Sequence, residues 1–329
     1  LQSKVASYYG EHIEAQAHDV LTRLGIENAR VEIADAGALP FALAARIEAA
    51  ARASGATCGE GVLPERLAPE RTGTERTRLR RSRLYLPGDE PKFFINAGLY
   101  HPDGVILDLE DSVHAGAKND ARYLVRNALS TFDFGGAEVM VRINQLPLGL
   151  EDVKVIVPQR PDLILIPKVE DPDQVLDVAE TLAELAPDRE IFLMPIIESA
   201  LGAWKAYEIA AAHPSVVALA IGLEDYTADI GAQRTLAGTE SFWARAQVLN
   251  GARAAGVQPI DTVFSDVSDM ESLRESVLEA RSFGYVGKGC IHPRQIAVVH
   301  EAFAPTDAEL DRAKKIVLAF EDAERRGLG

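Results

Sequence analysis

Long apolar runs are missing from this chain of 329 residues. No stretch reaches the ~18 apolar residues that would span a bilayer, and no secretory leader pattern opens it. Cysteine is nearly absent, with Cys58 and Cys290 alone. That excludes a disulfide framework and points to a reducing, cytoplasmic setting. Positive charge is outnumbered: 34 Lys and Arg stand against 50 Asp and Glu, for a net charge of −16. Bulk charge of this sign excludes binding to nucleic acid or to an anionic membrane surface. Anionic small substrates stay open, because they need only local Arg or Lys. No Gly-x-Gly-x-x-Gly opens a helix after the first strand-like run of the main unit, and neither zinc spacing such as His-x-x-x-His nor a Ser–His–Asp order occurs. The chain begins at Leu1 without Met, and further sequence is expected to precede it.

What is present is an ordinary globular balance, 47% hydrophobic and 26% charged. The length calls for two or three units. Residues 1–55 read as a small α+β module. Val5, Tyr9, Ile13, Ala17 and Leu21 recur at helical spacing, Ala29–Ala34 alternates like a strand, and Leu39–Ala53 is Ala-rich and helical. Residues 56–82 read as a solvated linker whose basic end, Arg76 to Arg83, holds five arginines.

Residues 83–304 carry a repeating rhythm. Strand-like runs fall at Leu84–Leu86, Gly104–Leu107, Glu138–Ile143, Leu163–Ile166, Ile191–Ile197, Val216–Ile221, Val257–Ile260 and Tyr285–Gly289. Helical segments separate them, among them Ala117–Leu129, Pro172–Leu185, Leu201–Ala212, Ser241–Ala255 and Met270–Phe283. Alternation of this kind implies parallel strands joined by crossovers, and eight units predict an α/β fold, a (β/α)8 TIM barrel. A doubly wound open sheet is the alternative, weakened by the missing glycine fingerprint. Residues 305–329 follow as a helix, Asp307–Arg325, with Leu310, Ile316, Val317, Leu318 and Phe320 to bury.

In a barrel the C-terminal strand ends carry chemistry. Almost every run here ends in an ionisable group. Pro87-Gly88 follows the first, Asp108, Glu110 and Asp111 the second, Arg142 the third, Lys168 the fourth, Glu198 the fifth, Asp225 the sixth and Asp261 the seventh, while the eighth leads into Cys290 and His292. Arg83 precedes the first strand and reads as a structural residue of the bottom rim. Glu198 and Asp225 each lie just past a buried run, one strand–helix–strand unit apart. Two hard oxygen ligands with other positions left to water and substrate suit Mg2+. Glu224 competes with Asp225 for that role on spacing alone. The bland reading of such a ring is internal salt bridges. The functional one is a polar pocket that holds a cation and an anionic substrate. His292 reads as a hydrogen-bonded loop residue, Cys290 as a small buried hydrophobe, and Trp204 and Trp243 as packing.

The stretches Arg83-Leu-Tyr-Leu-Pro-Gly88, Ile106-Leu-Asp-Leu-Glu-Asp-Ser-Val113, Val141-Arg-Ile-Asn144, Ile197-Glu-Ser-Ala200, Gly222-Leu-Glu-Asp225 and Cys290-Ile-His-Pro-Arg-Gln-Ile296 resemble the citrate lyase β chain and its superfamily of malyl-CoA and citramalyl-CoA lyases. Tyr9-Gly10, Val20-Leu-Thr-Arg-Leu24 and Gly37-Ala-Leu39 with Ala45-Arg-Ile-Glu-Ala49 resemble the citrate lyase acyl-carrier γ chain. The resemblance implies a TIM barrel, Mg2+ on Glu198 and Asp225, and substrate contact by Arg142. It also decides for Asp225 over Glu224. The serine that bears the CoA-derived prosthetic arm in the carrier family lies upstream of the matched segment, so Ser3 is not assigned that role. Such lyases continue past the barrel into a C-terminal lid, which is expected here to be absent, trimmed or outside the chain given.

The implied reaction is carbon–carbon cleavage of a citryl thioester to oxaloacetate and an acetyl thioester, with CoA or its prosthetic derivative as part of the substrate. Arg142 would grip carboxylate or enolate oxygen, Asp108 would orient Arg142 or Lys168, and Pro87 and Gly88 would let substrate approach the backbone. Implied partners are a homo-oligomer (trimer or hexamer) and citrate lyase α and γ chains. Malyl-CoA or citramalyl-CoA is the alternative substrate, and a non-catalytic carrier or scaffold role is the alternative of another class. A barrel glycosidase is disfavoured, because Arg142 and Lys168 suit anions and two Trp supply little sugar stacking.

Overall fold

In the computed structural model, which describes residues 1–69 and 73–327, eight parallel strands close into a barrel. They are β1 (Ser82–Pro87), β2 (Gly104–Asp108), β3 (Glu138–Arg142), β4 (Leu163–Ile166), β5 (Phe192–Ile197), β6 (Ala218–Ile221), β7 (Gln258–Asp261) and β8 (Gly287–Cys290), in chain order around the barrel. All eight expected runs are therefore strands of one sheet, and the open-sheet alternative falls. Near-continuous apolar runs form here because both faces are covered. Ile106, Met140, Leu165, Met194, Ile196 and Ile260 fill the inside. Val105, Leu107, Val141, Ile164, Leu193 and Leu219 meet the surrounding helices.

The helices follow the expected pattern with two exceptions. Pro172–Leu185 and Met270–Phe283 form with those bounds, the first behind an Asp171 capping box. The segment expected as one helix over Leu201–Ala212 is instead Ala200–Trp204 and Ala206–Ala210, broken at Lys205, whose ammonium reaches Asp171 at 2.6 Å. Asp307–Arg325 is a helix behind a Thr306–Glu309 capping box, but none of its residues is buried and Phe320 is 69% exposed. Its apolar side chains meet no core among the described residues, contrary to expectation. Trp204 and Trp243 also depart from the packing role expected of them: their rings meet each other, tilted, with centres 4.9 Å apart, but neither is buried.

The first helices, α1 (Ala6–Arg23) and α2 (Pro40–Ala53), pack on each other through Ile13, Ala17, Val20, Leu43 and Ile47. Pro40 stands at the first position of α2, where its fixed φ favours the helix. The expected strand Ala29–Ala34 pairs only at its end, where Ala34–Asp35 lies beside Gln2–Ser3. No longer strand is at hand for it, and Arg30 and Glu32 pair with each other in solvent. The opposite face of α2 joins the barrel's own core through Phe41, Ala42 and Ala45. Glu48 on that helix is fully buried and accepts from Arg126 Nη1 at 3.1 Å and Nη2 at 2.6 Å, with Val62 N–H at 2.9 Å.

The basic segment before β1 is not a solvated linker. Arg80 is buried in a bidentate pair with Glu138, at 2.7 Å on both contacts, and Arg81 pairs with Asp103 at 2.8 Å. Arg76 donates to the carbonyls of Pro214 and Val216. The N-terminal ends of parallel strands present carbonyls and acids there, so arginines close the bottom of the barrel. Arg83 is likewise not on the rim: it lies within β1 with its side chain inside the barrel.

Removing one partner of a buried ion pair leaves the other uncompensated. Glu48→Gln should therefore cost about 3–5 kcal/mol in urea unfolding near neutrality. Burial works to raise the Glu48 carboxyl, but Arg126, with Val62 N–H and Arg52, outweighs it and holds it below the ordinary glutamate range. Its contribution is thus complete above that range and lost as pH falls through the lowered value. The gap between wild type and variant should close on acidification, and a gap independent of pH would contradict the charged pairing.

Candidate active site

Ladder register places Asp108, the last residue of β2, directly opposite Arg142, the last of β3. The two side chains meet in a fork: Arg142 Nε donates to Asp108 Oδ1 at 2.6 Å and Nη2 to Oδ2 at 2.7 Å. The remaining nitrogen, Nη1, faces Glu110 Oε2 at 2.9 Å and Asp111 Oδ2 at 3.3 Å. The guanidinium lies over the Tyr85 ring, 5.2 Å from its centre. Burial works to raise Asp108, but Arg142 outweighs it and holds the carboxyl below its usual range. Asp108 thus orients Arg142.

Lys168 follows β4 with φ 51°, a left-handed conformation that a non-glycine residue seldom adopts. Its ammonium sits among acids, 3.1 Å from Glu110, 3.4 Å from Asp111 and 3.6 Å from Asp225. Its backbone N–H donates to Glu198 Oε2 at 3.0 Å. Backbone strain of this kind clusters where a site needs a group aimed.

Glu198 stands just past β5, 7% exposed, and Asp225 on the first turn of the short helix Leu223–Asp229. Glu198 is pressed against Gly222: a methyl there would lie 2.4 Å from Oε1. Gly222 precedes that turn, so Glu198 and Asp225 share one corner of the cavity. Burial pushes the Glu198 carboxyl up to about 8, and Glu110 and Asp225 add to the rise against the pull of Arg142. Glu224, the other candidate on spacing, is drawn away by Arg234 and Ser265.

The cavity holds about 350 Å3 and is lined by Arg83, Tyr85, Asp108, Arg142, Glu198 and Asp225, among others. Five carboxylates (Asp108, Glu110, Asp111, Glu198 and Asp225) gather round Arg142 and Lys168. The cluster thus has room, electrostatically, for a divalent cation. Among the described residues no three His, Cys, Asp or Glu side chains are grouped to hold a metal unaided. Glu198 and Asp225 could supply two oxygens, leaving the other positions to water or ligand.

Of the other expected residues Asp261 lines the cavity, and Pro87, Gly88, Cys290 and His292 fall elsewhere. Gly88 donates its N–H to Asp108 O at 2.8 Å, and a methyl there would lie 2.4 Å from that oxygen, so its backbone is engaged with β2. Pro87 lies opposite Asp108 in the ladder, and neither it nor Gly88 lines the cavity. Asp261 is buried between Lys288 at 2.7 Å and Arg245 at 3.2 Å. Cys290 is buried and its thiol is pushed up to about 12 by burial, so it is inert. His292 accepts from Arg294 N–H in its loop. Sequence reasoning missed Tyr85 and Arg83 as cavity residues. The alternation of Arg83, Tyr85 and Pro87 with Leu84 and Leu86 was the signal that could have found them.

Comparison with known proteins places the chain among relatives of one family. The family profile described as HpcH/HpaI aldolase/citrate lyase matches residues 81–293, and that of the malonate decarboxylase delta subunit matches residues 1–54. Citrate lyase subunit beta of Leuconostoc mesenteroides subsp. cremoris is 38% identical over 253 residues, 75% of this chain and 84% of that protein. L-malyl-CoA/beta-methylmalyl-CoA lyase of Cereibacter sphaeroides is 36% identical, over 75% of this chain and 86% of that one. The crystal structure of CitE from Mycobacterium tuberculosis in complex with magnesium, acetoacetate and coenzyme A superposes with a TM-score of 0.63 at 30% identity, covering 75% of this chain and 89% of that one.

Gly222 has φ −111°, an ordinary conformation for alanine, so Gly222→Ala carries no backbone strain. The crowding of Glu198 should nonetheless cost about 1–3 kcal/mol in urea unfolding. An unchanged midpoint would contradict the tight seat of Glu198.

Proposed function

This chain belongs to the HpcH/HpaI aldolase/citrate lyase family and is a carbon–carbon lyase acting on a CoA-type thioester, and from that premise we propose that it is a Mg2+-dependent lyase cleaving a citryl thioester to oxaloacetate and an acetyl thioester. The observation that carries the reading is the shared corner of Glu198 and Asp225 within a cluster where carboxylates outnumber cations. The relative crystallised with magnesium, acetoacetate and coenzyme A supports the metal and the thioester.

Glu198 and Asp225 would hold the ion. When bound, it would chelate the substrate hydroxyl and adjacent carboxylate and lower the hydroxyl pKa. The protein's share is orientation and charge. Asp108 holds two nitrogens of Arg142, so the guanidinium cannot swing. An incoming carboxylate or thioester enolate oxygen would take Nη1 from Glu110 and Asp111. Lys168 would keep Glu110 Oε1 and Asp111 Oδ1 as partners. Glu110 Oε2 and Asp111 Oδ2, given up by Nη1, would then be free to position water.

By this reading residues 83–304 form the catalytic unit, residues 56–82 connect it, and residues 1–55 are a carrier-derived module docked on it through Glu48 and Arg126. Citrate lyase α and γ chains and a homo-oligomer are the partners it implies. The malyl-CoA lyase relative favours a second substrate reading, another 3-hydroxyacyl-CoA.

Glu198→Ala or Asp225→Ala should abolish Mg2+-dependent cleavage, and Arg142→Ala should lower turnover by ~10²–10³. Turnover that survives EDTA would refute the metal assignment. A thioester panel read by release of oxaloacetate, glyoxylate or pyruvate decides the substrate, with oxaloacetate expected.

A further inference from the structure

Among the described residues, the barrel interior holds one cation, Arg83, that no carboxylate pairs with. Elsewhere in the core guanidinium and ammonium groups meet acids: Arg80 meets Glu138, Arg142 meets Asp108, and Lys288 and Arg245 meet Asp261. Arg83 does not. Its side chain projects into the barrel from β1 and is 1% exposed. Its Nη1 rests on the thioether sulfur of Met194 at 3.1 Å, and its Nε has no hydrogen-bond partner among the described residues. No described carboxylate forms an ion pair with it. An arginine does not shed its proton to escape this, so the fold carries a desolvated charge.

The place explains the cost. Arg83 lines the floor of the cavity that Glu198, Asp225 and Arg142 line higher up. Tyr85 stands one inward position above it on the same strand. Gly289, opposite Arg83 in the ladder, leaves room for Tyr85 and Val263, and the small Ala218 and Ala220 face the same interior as Arg83. A ligand chelated at the mouth through one carboxylate and its neighbouring oxygen would send any second carboxylate down toward this guanidinium, which is preorganised and dry.

We infer that Arg83 is the receptor for the second carboxylate of a dicarboxylic hydroxy or oxo acid moiety, and so selects thioesters whose cleavage releases a dicarboxylic oxo acid over those releasing glyoxylate or pyruvate. The inference rests on the proposed chelation at Glu198 and Asp225 and adds to it the choice of substrate. Arg83 is a specificity residue: it touches the substrate's far end and not the bond that breaks.

The test is calorimetric titration of the Mg2+-loaded protein with malate and with lactate. The two acids share the chelating hydroxyl and carboxylate and differ by the second carboxylate. The wild type should prefer malate by ~10–100-fold, the worth of a charged hydrogen bond. In Arg83→Met the preference should fall below ~3-fold, with the fall carried by malate. The same variant, freed of a buried unpaired charge, should melt a few degrees higher without ligand. Arg83→Lys keeps the cation and should keep part of the preference, which guards against a methionine variant that fails to fold. No malate preference in the wild type, or an equal loss of both acids in the variants, overturns the inference. Wild-type protein that prefers malate yet cleaves no hydroxyacyl thioester refutes the proposed activity and leaves the receptor standing. Cleavage intact with the preference unmoved in Arg83→Met refutes the receptor alone.

Discussion

The fork between Asp108 and Arg142 is the contact on which the rest of the site depends. Sheet register sets it, because the last residues of β2 and β3 are ladder partners. Both oxygens of Asp108 are used, so Arg142 is fixed over Tyr85 with a single nitrogen left for other acids. Glu110 and Asp111 gather at that nitrogen and draw in Lys168. Lys168, held in a left-handed conformation, offers its N–H to Glu198. A β-sheet ladder thereby transmits its precision to a carboxylate three strands away, with no long loop in the chain of contacts.

The two ends of the barrel are opposite in charge logic. At the bottom, arginines are matched by acids and carbonyls, and the pairs are buried and bidentate. At the top, carboxylates exceed cations and Glu198 is left with a raised pKa. A matched end adds to fold integrity. An unmatched end stores electrostatic cost that a cation can relieve. Arg83 lies between them with the reverse imbalance, a cation awaiting an anion. The cavity thus runs from a region short of positive charge to a point short of negative charge. A chelated dicarboxylate, bringing a metal to one end and a carboxylate to the other, satisfies both.

Much of this was legible beforehand because strands announce themselves. Each of the eight apolar runs is short and bounded, so Asp108, Arg142, Lys168 and Glu198 could be named from their places at or just past the run ends. Choosing Asp225 over Glu224 needed the family resemblance; spacing could not separate neighbours, and the pull of Arg234 and Ser265 on Glu224 is a tertiary fact. Arg80 and Arg83 were misplaced because a run of arginines looks solvated until its acids, Glu138 among them, arrive from distant sequence. Reading β1 as starting two residues late, at Leu84 and not Ser82, moved Arg83 from the interior to the rim. The exposed face of Asp307–Arg325 and the exposed Trp204–Trp243 pair show the converse limit: helical spacing of apolar residues gives a face, and only the fold decides whether anything covers it.

The central claim is that Glu198 and Asp225 complete their charge balance by sharing one divalent cation. A crystal structure of the protein with Mg2+ and malate tests it most directly. The account predicts one octahedral ion with an oxygen from each residue at ~2.1 Å, malate chelated on it, and the Lys168 ammonium withdrawn from Asp225. An ion bound only by Glu110 and Asp111, or a Lys168–Asp225 pair that persists at saturating Mg2+, would contradict it.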